Sequence, residues 1–346
     1  MRYAIFTSAL CLAFMPMALL ASERPAAVAR QGFRISTAQG SAIAPFIISF
    51  DWSKPQPKIT RAVIVFHGKG RDVEGYYRTA LEAGDIAGSA GRETAFIAPQ
   101  FLDEEDVTAH DVPAEVLRWR HTDWEAGAPA IAPVPFSSYE VVDALLVRLA
   151  DRSLFPNLKI VVLAGHSGGG QLVQRYAVVG RAAALLSRDG IHFRFIVANP
   201  SSYVYFDDER PAPDGTIVAF RSGDCPGFNS WKYGTLNAPA YVKLDANNSW
   251  PQMEANYAER EVIYLLGTAD TDPHEKDLDT SCSGEAQGPT RFARGRAYYA
   301  YLHGRHGSAW NQRMWFVPGV AHSARKMFTS TCGVSALFDV GRCPDQ

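Results

Sequence analysis

One serine near the middle of the chain lies in a setting that suits a nucleophile. Ser167 stands in the segment GHSGGG, which contains the pattern G-x-S-x-G at residues 165–169. Glycines on both sides of a serine let the backbone turn sharply and present the hydroxyl group. That hydroxyl attacks a carbonyl carbon only after a neighbouring base removes its proton. The segment therefore predicts acyl transfer if an imidazole and a carboxylate follow; without them, Ser167 would only cap the helix after it.

The strongest candidate for that base lies near the carboxyl end of the sequence. His322 follows an apolar, strand-like run in the segment MWFVPGVAHSARKMF. His303 and His306, in the segment YLHGRHG, fall at the end of a predicted helix, where we expect them to face solvent. His322 is therefore the predicted base.

Two aspartates are candidates for the carboxylate that would orient His322. Asp270 and Asp272 follow the apolar run EVIYLL in the segment EVIYLLGTADTDPHEKD. Together with His274 and Asp277 they could instead bind calcium or another metal ion, although the cluster lacks the glycine and the terminal glutamate of an EF-hand loop. A solvated acidic turn is the third interpretation.

Seven short apolar runs predict the strands that would position these side chains. They lie at residues 42–50, 62–66, 94–99, 159–164, 193–198, 261–266 and 312–317. Most are apolar without a break, which is typical of strands in a parallel sheet that is covered on both faces. Between them, residues 138–153 and 170–188 repeat apolar side chains at helical spacing. This alternation predicts an open α/β sheet with right-handed crossovers.

The strand, the turn at Ser167 and the helix after it resemble the nucleophile elbow of the α/β-hydrolase family, which includes serine esterases and lipases. The resemblance covers most of the chain and implies a mostly parallel sheet with helices on both faces. It also implies the chain order serine, acid, histidine, with Ser167 as nucleophile and His322 as base. Asp270 matches the family's acid after Gly267 in the pattern G-x-x-D, and Asp272 stays as the alternative.

The same resemblance implies two backbone donors for a developing oxyanion. The amide of Gly168 would be one, because it stands beside the nucleophile at a helix start. The second would come from the segment HGKGRD after the run AVIVF, and points to the amide of Lys69, or of Gly70 if the register differs. His67 is expected to support this loop through hydrogen bonds. No cofactor and no metal ion is implied, and the sequence has neither a G-x-G-x-x-G fingerprint nor a P-loop.

The expected domain organisation is one hydrolase domain over residues 22–346, with a lid or cap insertion at about residues 200–260. That region is long, rich in proline, glycine and asparagine, and crowded with aromatic residues. Loops of this length are usually lids, binding loops or small subdomains. We expect most of the aromatics to form the insertion's own small core and some to line the mouth of a pocket.

The first 21 residues have the order of regions typical of a secretory signal peptide, with Arg2 followed by an apolar run and then polar residues. A membrane anchor that stays attached is the alternative. Export predicts a secreted or periplasmic protein with no membrane span once the peptide is removed. Four cysteines would remain, and of their three possible pairings we favour Cys225 with Cys282 and Cys332 with Cys343.

These features predict a secreted hydrolase that cleaves small or polymeric carboxylic esters. A formal net charge of -2 and the lack of a long basic run argue against a nucleic-acid partner. An amidase or peptidase would use the same residues, because they do not specify the leaving group. A catalytically silent binding protein on the same scaffold is the alternative from a different class.

Overall fold

The computed structural model describes residues 24–344, apart from residues 183–189, 222, 224, 246, 247, 308 and 309. The predicted signal peptide, residues 1–21, lies outside the described residues. The strands are β1 (Gln31–Thr37), β2 (Gly40–Ile48), β3 (Arg61–Phe66), β4 (Thr94–Pro99), β5 (Leu102–Asp103), β6 (Arg118–Trp119), β7 (Ile160–His166), β8 (His192–Ala198), β9 (Glu209–Pro211), β10 (Ile217–Ala219), β11 (Glu261–Gly267) and β12 (Gln312–Val317).

Eight of these strands form the central sheet, in the order β1-β2-β4-β3-β7-β8-β11-β12. The pairs β1 with β2 and β2 with β4 are antiparallel, and the remaining pairs are parallel. All seven apolar runs of the sequence are strands of this sheet, so the predicted, mostly parallel α/β architecture is confirmed. The edge strand β1 was not predicted, because its residues are mostly exposed and give no continuous apolar run.

Helices cover both faces of the sheet. They are α1 (Val73–Ala87), α2 (Ser89–Arg92), α3 (Glu104–Ala109), α4 (Ser138–Leu149), α5 (Gly168–Val179), α6 (Trp250–Glu259), α7 (Cys282–Glu285), α8 (Arg291–His306), α9 (Ala324–Phe328) and α10 (Thr331–Phe338), with a 3₁₀ helix at Asp123–Ala126. Residues of α4, α5, α6 and α8 share the larger core, and residues of α1, α9 and α10 share the core on the opposite face. Successive residues of β3 alternate between these two cores, which explains its unbroken apolar sequence.

The segment at about residues 200–260 contains the antiparallel pair β9 and β10 and the helix α6. Its aromatics do not form the separate small core that the sequence led us to expect. Four of its tyrosines are buried in the larger core of the domain: Tyr203, Tyr205, Tyr241 and Tyr257. They join it because the segment packs directly on the helices beside the sheet. That the segment acts as a lid remains a prediction.

Two disulfide bonds join the cysteine pairs that we favoured from the sequence. Cys225 is bonded to Cys282, which ties the segment at about residues 200–260 to α7. Cys332 is bonded to Cys343, which closes the carboxyl end of the chain onto α10. Within the described part of the chain, no helix combines the length and the apolar character needed to cross a bilayer.

Two arginines near the amino ends of the parallel strands hold the last helix, α10, in place. Arg61, the first residue of β3, donates to the carbonyl oxygen of Leu337 and pairs with Asp339. Arg194 of β8 donates to the carbonyl oxygen of Ala336 and also pairs with Asp339. The last carbonyls of a helix carry partial negative charge and lack intrahelical partners, so these two guanidinium groups stabilise the end of α10.

Candidate active site

Ser167 lies on a strained turn between β7 and α5. Its φ is 58° and its ψ is -122°, a backbone conformation that costs a residue with a side chain about 1–3 kcal/mol. The amide of Ser167 donates to the carbonyl oxygen of Ala198 and its own carbonyl accepts from Gln171, so the turn is held from both sides. The Ser167 hydroxyl makes no hydrogen bond to any described residue. The side chain lines a cavity and is therefore available to a ligand.

Two glycines let this turn close. A Cβ built on Gly165 would lie 2.1 Å from the carbonyl oxygen of Gly169, and a Cβ on Gly169 would lie 2.3 Å from the carbonyl oxygen of Phe66. Both contacts are with backbone atoms, which cannot swing aside. The glycines of the G-x-S-x-G pattern are therefore required by the packing of β7, α5 and β3 around the serine.

We expect Gly165→Ala to destabilise the protein. A methyl group at this position would overpack a backbone contact, which costs about 1–3 kcal/mol, so urea denaturation should give a free energy of unfolding lower by about that amount. Gly304→Ala is the matched control, because a Cβ on this residue of α8 would have no atom within 4 Å. It should stabilise the helix by about 0.5–1 kcal/mol. Equal effects of the two substitutions would contradict the packing described here.

The loop after β3 lies against the turn at Ser167. A Cβ on Gly68 would lie 3.4 Å from Cβ of Ser167, and a Cβ on Gly168 would lie 3.2 Å from the backbone nitrogen of Lys69. The amide of Lys69 makes no hydrogen bond to a described residue, and the amide of Gly168 is the first of α5, where the helix supplies no partner. The two predicted oxyanion donors therefore lie side by side next to the serine.

His67 holds this loop in position, as the sequence led us to expect. Its Nδ1 donates to the carbonyl oxygen of Gly68 at 2.9 Å, and its Nε2 accepts from the amide of Phe101 at 2.9 Å. These partners require the neutral ring with its proton on Nδ1. Burial lowers the pKa of His67 to about 3, which keeps the ring uncharged.

Asp270 and His322 are hydrogen bonded to each other. The distance between Oδ2 of Asp270 and Nδ1 of His322 is 2.8 Å. With Nδ1 donating to the carboxylate, Nε2 is left as the acceptor nitrogen of the ring. Asp270 is buried, whereas Asp272 is exposed and accepts from the amide of His274. Among the described residues, no three histidine, cysteine or acidic side chains are grouped to hold a metal ion.

The loops after β11 and β12, which carry these two residues, are bonded to each other. The amide of Thr268 donates to the carbonyl oxygen of Val317, and the amide of Ala269 donates to the carbonyl oxygen of Val320. A Cβ on Gly267 would lie 2.4 Å from the same oxygen of Val320, so the strand end approaches the neighbouring loop closely. This contact fixes the aspartate and the histidine relative to each other.

His166 connects the Asp270–His322 pair to the serine turn. Its ring centroid lies 4.4 Å from that of His322, and it directly precedes Ser167 in the chain. The hydroxyl of Tyr76 in α1 lies 3.1 Å from its Nδ1. Burial lowers the pKa of His166 well below its ordinary value, and the positive charge of Arg291 acts in the same direction. The ring therefore packs against His322 as an uncharged surface.

Arg291, the first residue of α8, lies behind the aspartate. Its guanidinium is fully buried, with Nη1 3.6 Å from Oδ1 of Asp270 and Nη2 2.6 Å from Glu275. Its Nε donates to the hydroxyl of Ser201 at 3.0 Å. The guanidinium thus lies beside Oδ1 of Asp270, while Oδ2 bonds His322.

The cavity beside Ser167 has a volume of about 210 Å³ and a polar lining. It is lined by Lys69, Thr122, Glu125, Ser167, Gln171, Ser201, Lys232, Tyr233, Asp277, Leu278 and Asp279. The sequence led us to expect some aromatics at the mouth of a pocket, and among the described residues Tyr233 is the one aromatic in this lining.

Two solved structures are similar to this one over most of the chain. A poly(3-hydroxybutyrate) depolymerase from Bordetella parapertussis is 21% identical with a TM-score of 0.59, and the match covers 92% of this chain and 93% of that one. Poly(aspartic acid) hydrolase-1 from Sphingomonas sp. KT-1 is 21% identical with a TM-score of 0.56, over 88% of this chain and 96% of that one. The chain has the α/β-hydrolase fold. No protein-family model and no curated protein sequence matches it.

In this α/β-hydrolase fold, the predicted residues all follow the carboxyl ends of strands. Lys69 follows β3, Ser167 follows β7, Asp270 follows β11 and His322 follows β12. Ligands of open α/β sheets bind along that edge. The structure thus brings Ser167, Lys69 and Gly168 into one group and Asp270 with His322 into a second, with His166 between them.

Three polar residues of this region of the α/β-hydrolase fold were not predicted. Gln171 stands one helical turn after Ser167, a spacing that could have indicated a side chain over the same site. Glu125 lies in a short 3₁₀ helix far from any predicted strand, and Arg291 meets its partners only through the tertiary fold. Neither of these two has a local signal in the sequence.

Proposed function

We propose that the protein is a serine hydrolase that cleaves carboxylic esters. The observation that carries this proposal is the hydrogen bond between Asp270 and His322 at the same sheet edge as the strained turn of Ser167. An imidazole oriented by a buried carboxylate is the base that a serine nucleophile requires. The α/β-hydrolase fold supports the same reaction class.

In the proposed first step, Oγ of Ser167 attacks the ester carbonyl carbon while Nε2 of His322 accepts the hydroxyl proton. Asp270 accepts the hydrogen bond from Nδ1 and stabilises the imidazolium. When the tetrahedral intermediate collapses, the bond to the leaving alkoxide breaks and His322 returns the proton to it. Water then attacks the acyl-enzyme with His322 as base, which releases the acid and restores Ser167.

The negative oxygen of each tetrahedral intermediate would lie between the amides of Lys69 and Gly168. Both groups belong to the backbone of packed elements, so they need little reorganisation as charge develops. The neutral His67 supports this arrangement, because it bonds the Lys69 loop to Phe101 without adding a charge of its own.

We propose a secreted or periplasmic location and a polymeric or small extracellular ester as substrate. Two disulfide bonds are typical of an oxidising compartment. The two similar structures are named for enzymes that act on polymers, one of them a polyester. In this proposal the segment at about residues 200–260 covers the substrate, since its Lys232 and Tyr233 line the cavity.

Amide hydrolysis is the second candidate function. Poly(aspartic acid), the polymer in the name of one similar structure, is joined by amide bonds. The proposed residues would serve an amide as well, because His322 can protonate an amine as readily as an alkoxide. The choice depends on the leaving group that the cavity accepts.

We expect a fluorophosphonate probe to label the purified protein on Ser167, as identified by mass spectrometry of the labelled peptide. Labelling should disappear on heat denaturation, because an isolated serine hydroxyl does not react. Initial rates on matched acyl-p-nitrophenol and acyl-anilide substrates then separate ester from amide hydrolysis. Absence of labelling, together with no turnover of either series, would refute the hydrolase proposal in favour of a binding protein on this scaffold.

A further inference from the structure

A buried carboxylate lies next to the proposed oxyanion site. Glu125 is 3% exposed and lies in the 3₁₀ helix Asp123–Ala126 between β6 and α4. The point where a Cβ of Gly168 would stand is 2.3 Å from Oε1 of Glu125 and 3.2 Å from the backbone nitrogen of Lys69. The carboxylate and the proposed oxyanion donor therefore converge on the same side of the cavity at Ser167.

Of the two carboxylate oxygens of Glu125, one accepts a hydrogen bond from a described residue. Oε2 accepts a hydrogen bond from Nε2 of Gln171 at 2.8 Å. Oε1 accepts none from any described residue. Oε1 is not among the fully buried polar atoms that lack a partner, so it is accessible from the cavity. A substrate group that donates to Oε1 would form a hydrogen bond to a mostly buried carboxylate, and such bonds contribute about 1 kcal/mol or more.

The surroundings hold Glu125 in this position. Oε1 of Gln171 accepts from the hydroxyl of Ser202 and from the guanidinium of Arg175, which extends the network below the carboxylate. Burial raises the pKa of Glu125, whereas the positive charges of Lys232, Arg175 and Lys69 oppose that rise. In either protonation state Oε1 keeps a lone pair that can accept a hydrogen bond.

The other charged groups of the cavity already have partners. Nζ of Lys69 lies 3.1 Å from Oδ1 of Asp277, and Nζ of Lys232 lies 3.5 Å from Oδ2 of Asp279. An anionic substrate would have to displace these carboxylates, whereas a substrate with a donor finds Oε1 of Glu125 available. The lining thus favours a hydrogen-bond donor over an anion.

We propose that Glu125 is a specificity-determining residue, which accepts a hydrogen bond from a hydroxyl group of the substrate close to the scissile carbonyl. This inference rests on the proposed hydrolase function of Ser167. Hydroxylated esters are then preferred over alkyl esters of the same shape. The hydroxyl group belongs either to the acyl part or to the alcohol part, and both present the same chemistry to Glu125.

The test compares kcat/KM for pairs of esters in which a hydroxyl group replaces a methyl group. The acyl arm uses both enantiomers of methyl lactate against methyl isobutyrate, and of methyl 3-hydroxybutyrate against methyl 3-methylbutyrate. The alcohol arm uses 2-hydroxyethyl butyrate against propyl butyrate. We expect kcat/KM of the unmodified protein to be roughly tenfold or more higher for the hydroxylated member in at least one arm. A ratio of that size corresponds to the free energy of one hydrogen bond to a charged or buried group.

Glu125→Met keeps the length of the side chain without a comparable acceptor, and should reduce that preference by roughly tenfold. Glu125→Leu is the second variant, for use if the methionine variant does not fold, and should also reduce the ratio because leucine has no acceptor atom. A purely structural disturbance would lower both members of a pair equally. Glu74→Gln, on the exposed face of α1, is the control and should leave the ratio unchanged.

Two results would overturn the inference while leaving the proposed function intact: equal turnover of hydroxylated and alkyl esters, or a preference that both Glu125 variants retain. If the unmodified protein hydrolyses no ester and is not labelled by a fluorophosphonate, the proposed function and the inference both fail. A preference in the acyl arm identifies the substrate as an ester of a hydroxy acid, and one in the alcohol arm identifies it as an ester of a polyol.

Discussion

Ser167→Ala is expected to reduce kcat for ester hydrolysis on the order of 10⁶-fold, because it removes the atom that attacks the carbonyl. The free energy of unfolding should change by less than about 1 kcal/mol, since the hydroxyl makes no hydrogen bond to a described residue and the turn is held by backbone bonds. Initial rates on p-nitrophenyl butyrate and urea denaturation measure the two quantities separately.

Ser153→Ala is the matched control for this substitution, because its side chain is exposed in a loop before β7 and contacts neither the cavity nor the turn. It should retain full activity. Retention of activity by Ser167→Ala would contradict the nucleophile assignment, whatever the effect on stability.

Asp270→Asn is expected to lower kcat about 10⁴-fold. The amide of asparagine can donate to Nδ1 of His322, which would place the ring proton on Nε2 and leave no base facing Ser167. Circular dichroism should show the same secondary structure as the unmodified protein. The charge of the buried Arg291 remains balanced in part by Glu275, which lies 2.6 Å away.

Asp272→Asn tests which of the two aspartates orients His322, a choice that the sequence leaves open. Asp272 is exposed, and its carboxylate accepts from the amide of His274 rather than from an imidazole. Its substitution should change kcat by less than about twofold, in line with the small effects of surface changes. A larger loss for Asp272→Asn than for Asp270→Asn would contradict the proposed triad.

Ser167, Asp270 and His322 could be named from the sequence because each follows an apolar run that forms a strand of the central sheet. The strands β7 and β11 are almost fully buried, whereas the edge strand β12 is partly buried. Such runs predict parallel strands, and the carboxyl ends of parallel strands meet at one edge of the sheet. Sequence order along the chain therefore carried information about proximity in space. The same logic predicted seven of the eight strands of the central sheet.

Glu125 and Arg291 could not be predicted because their positions depend on contacts between distant segments. Glu125 reaches the site from a four-residue 3₁₀ helix, and its hydrogen bond to Gln171 joins residues that are 46 positions apart. No periodic pattern marks such a helix. The aromatic residues at about 200–260 were misjudged for a related reason, since composition could not tell a separate small core from an extension of the main one.

Arg61 and Arg194 hold α10 at the end of the sheet opposite the candidate active site, so stability and substrate recognition depend on different parts of the molecule. Those arginines stand at the starts of strands whose opposite ends carry the loops around Ser167. Loops that alter substrate choice commonly cost stability. Here α10 is held by the two arginines at the amino ends of the strands and by the disulfide between Cys332 and Cys343. Substitutions in the loops at the carboxyl ends of the strands would leave these contacts intact. The loops at the carboxyl ends of the strands can therefore change in substrate preference, while the contacts at the amino ends continue to stabilise the fold.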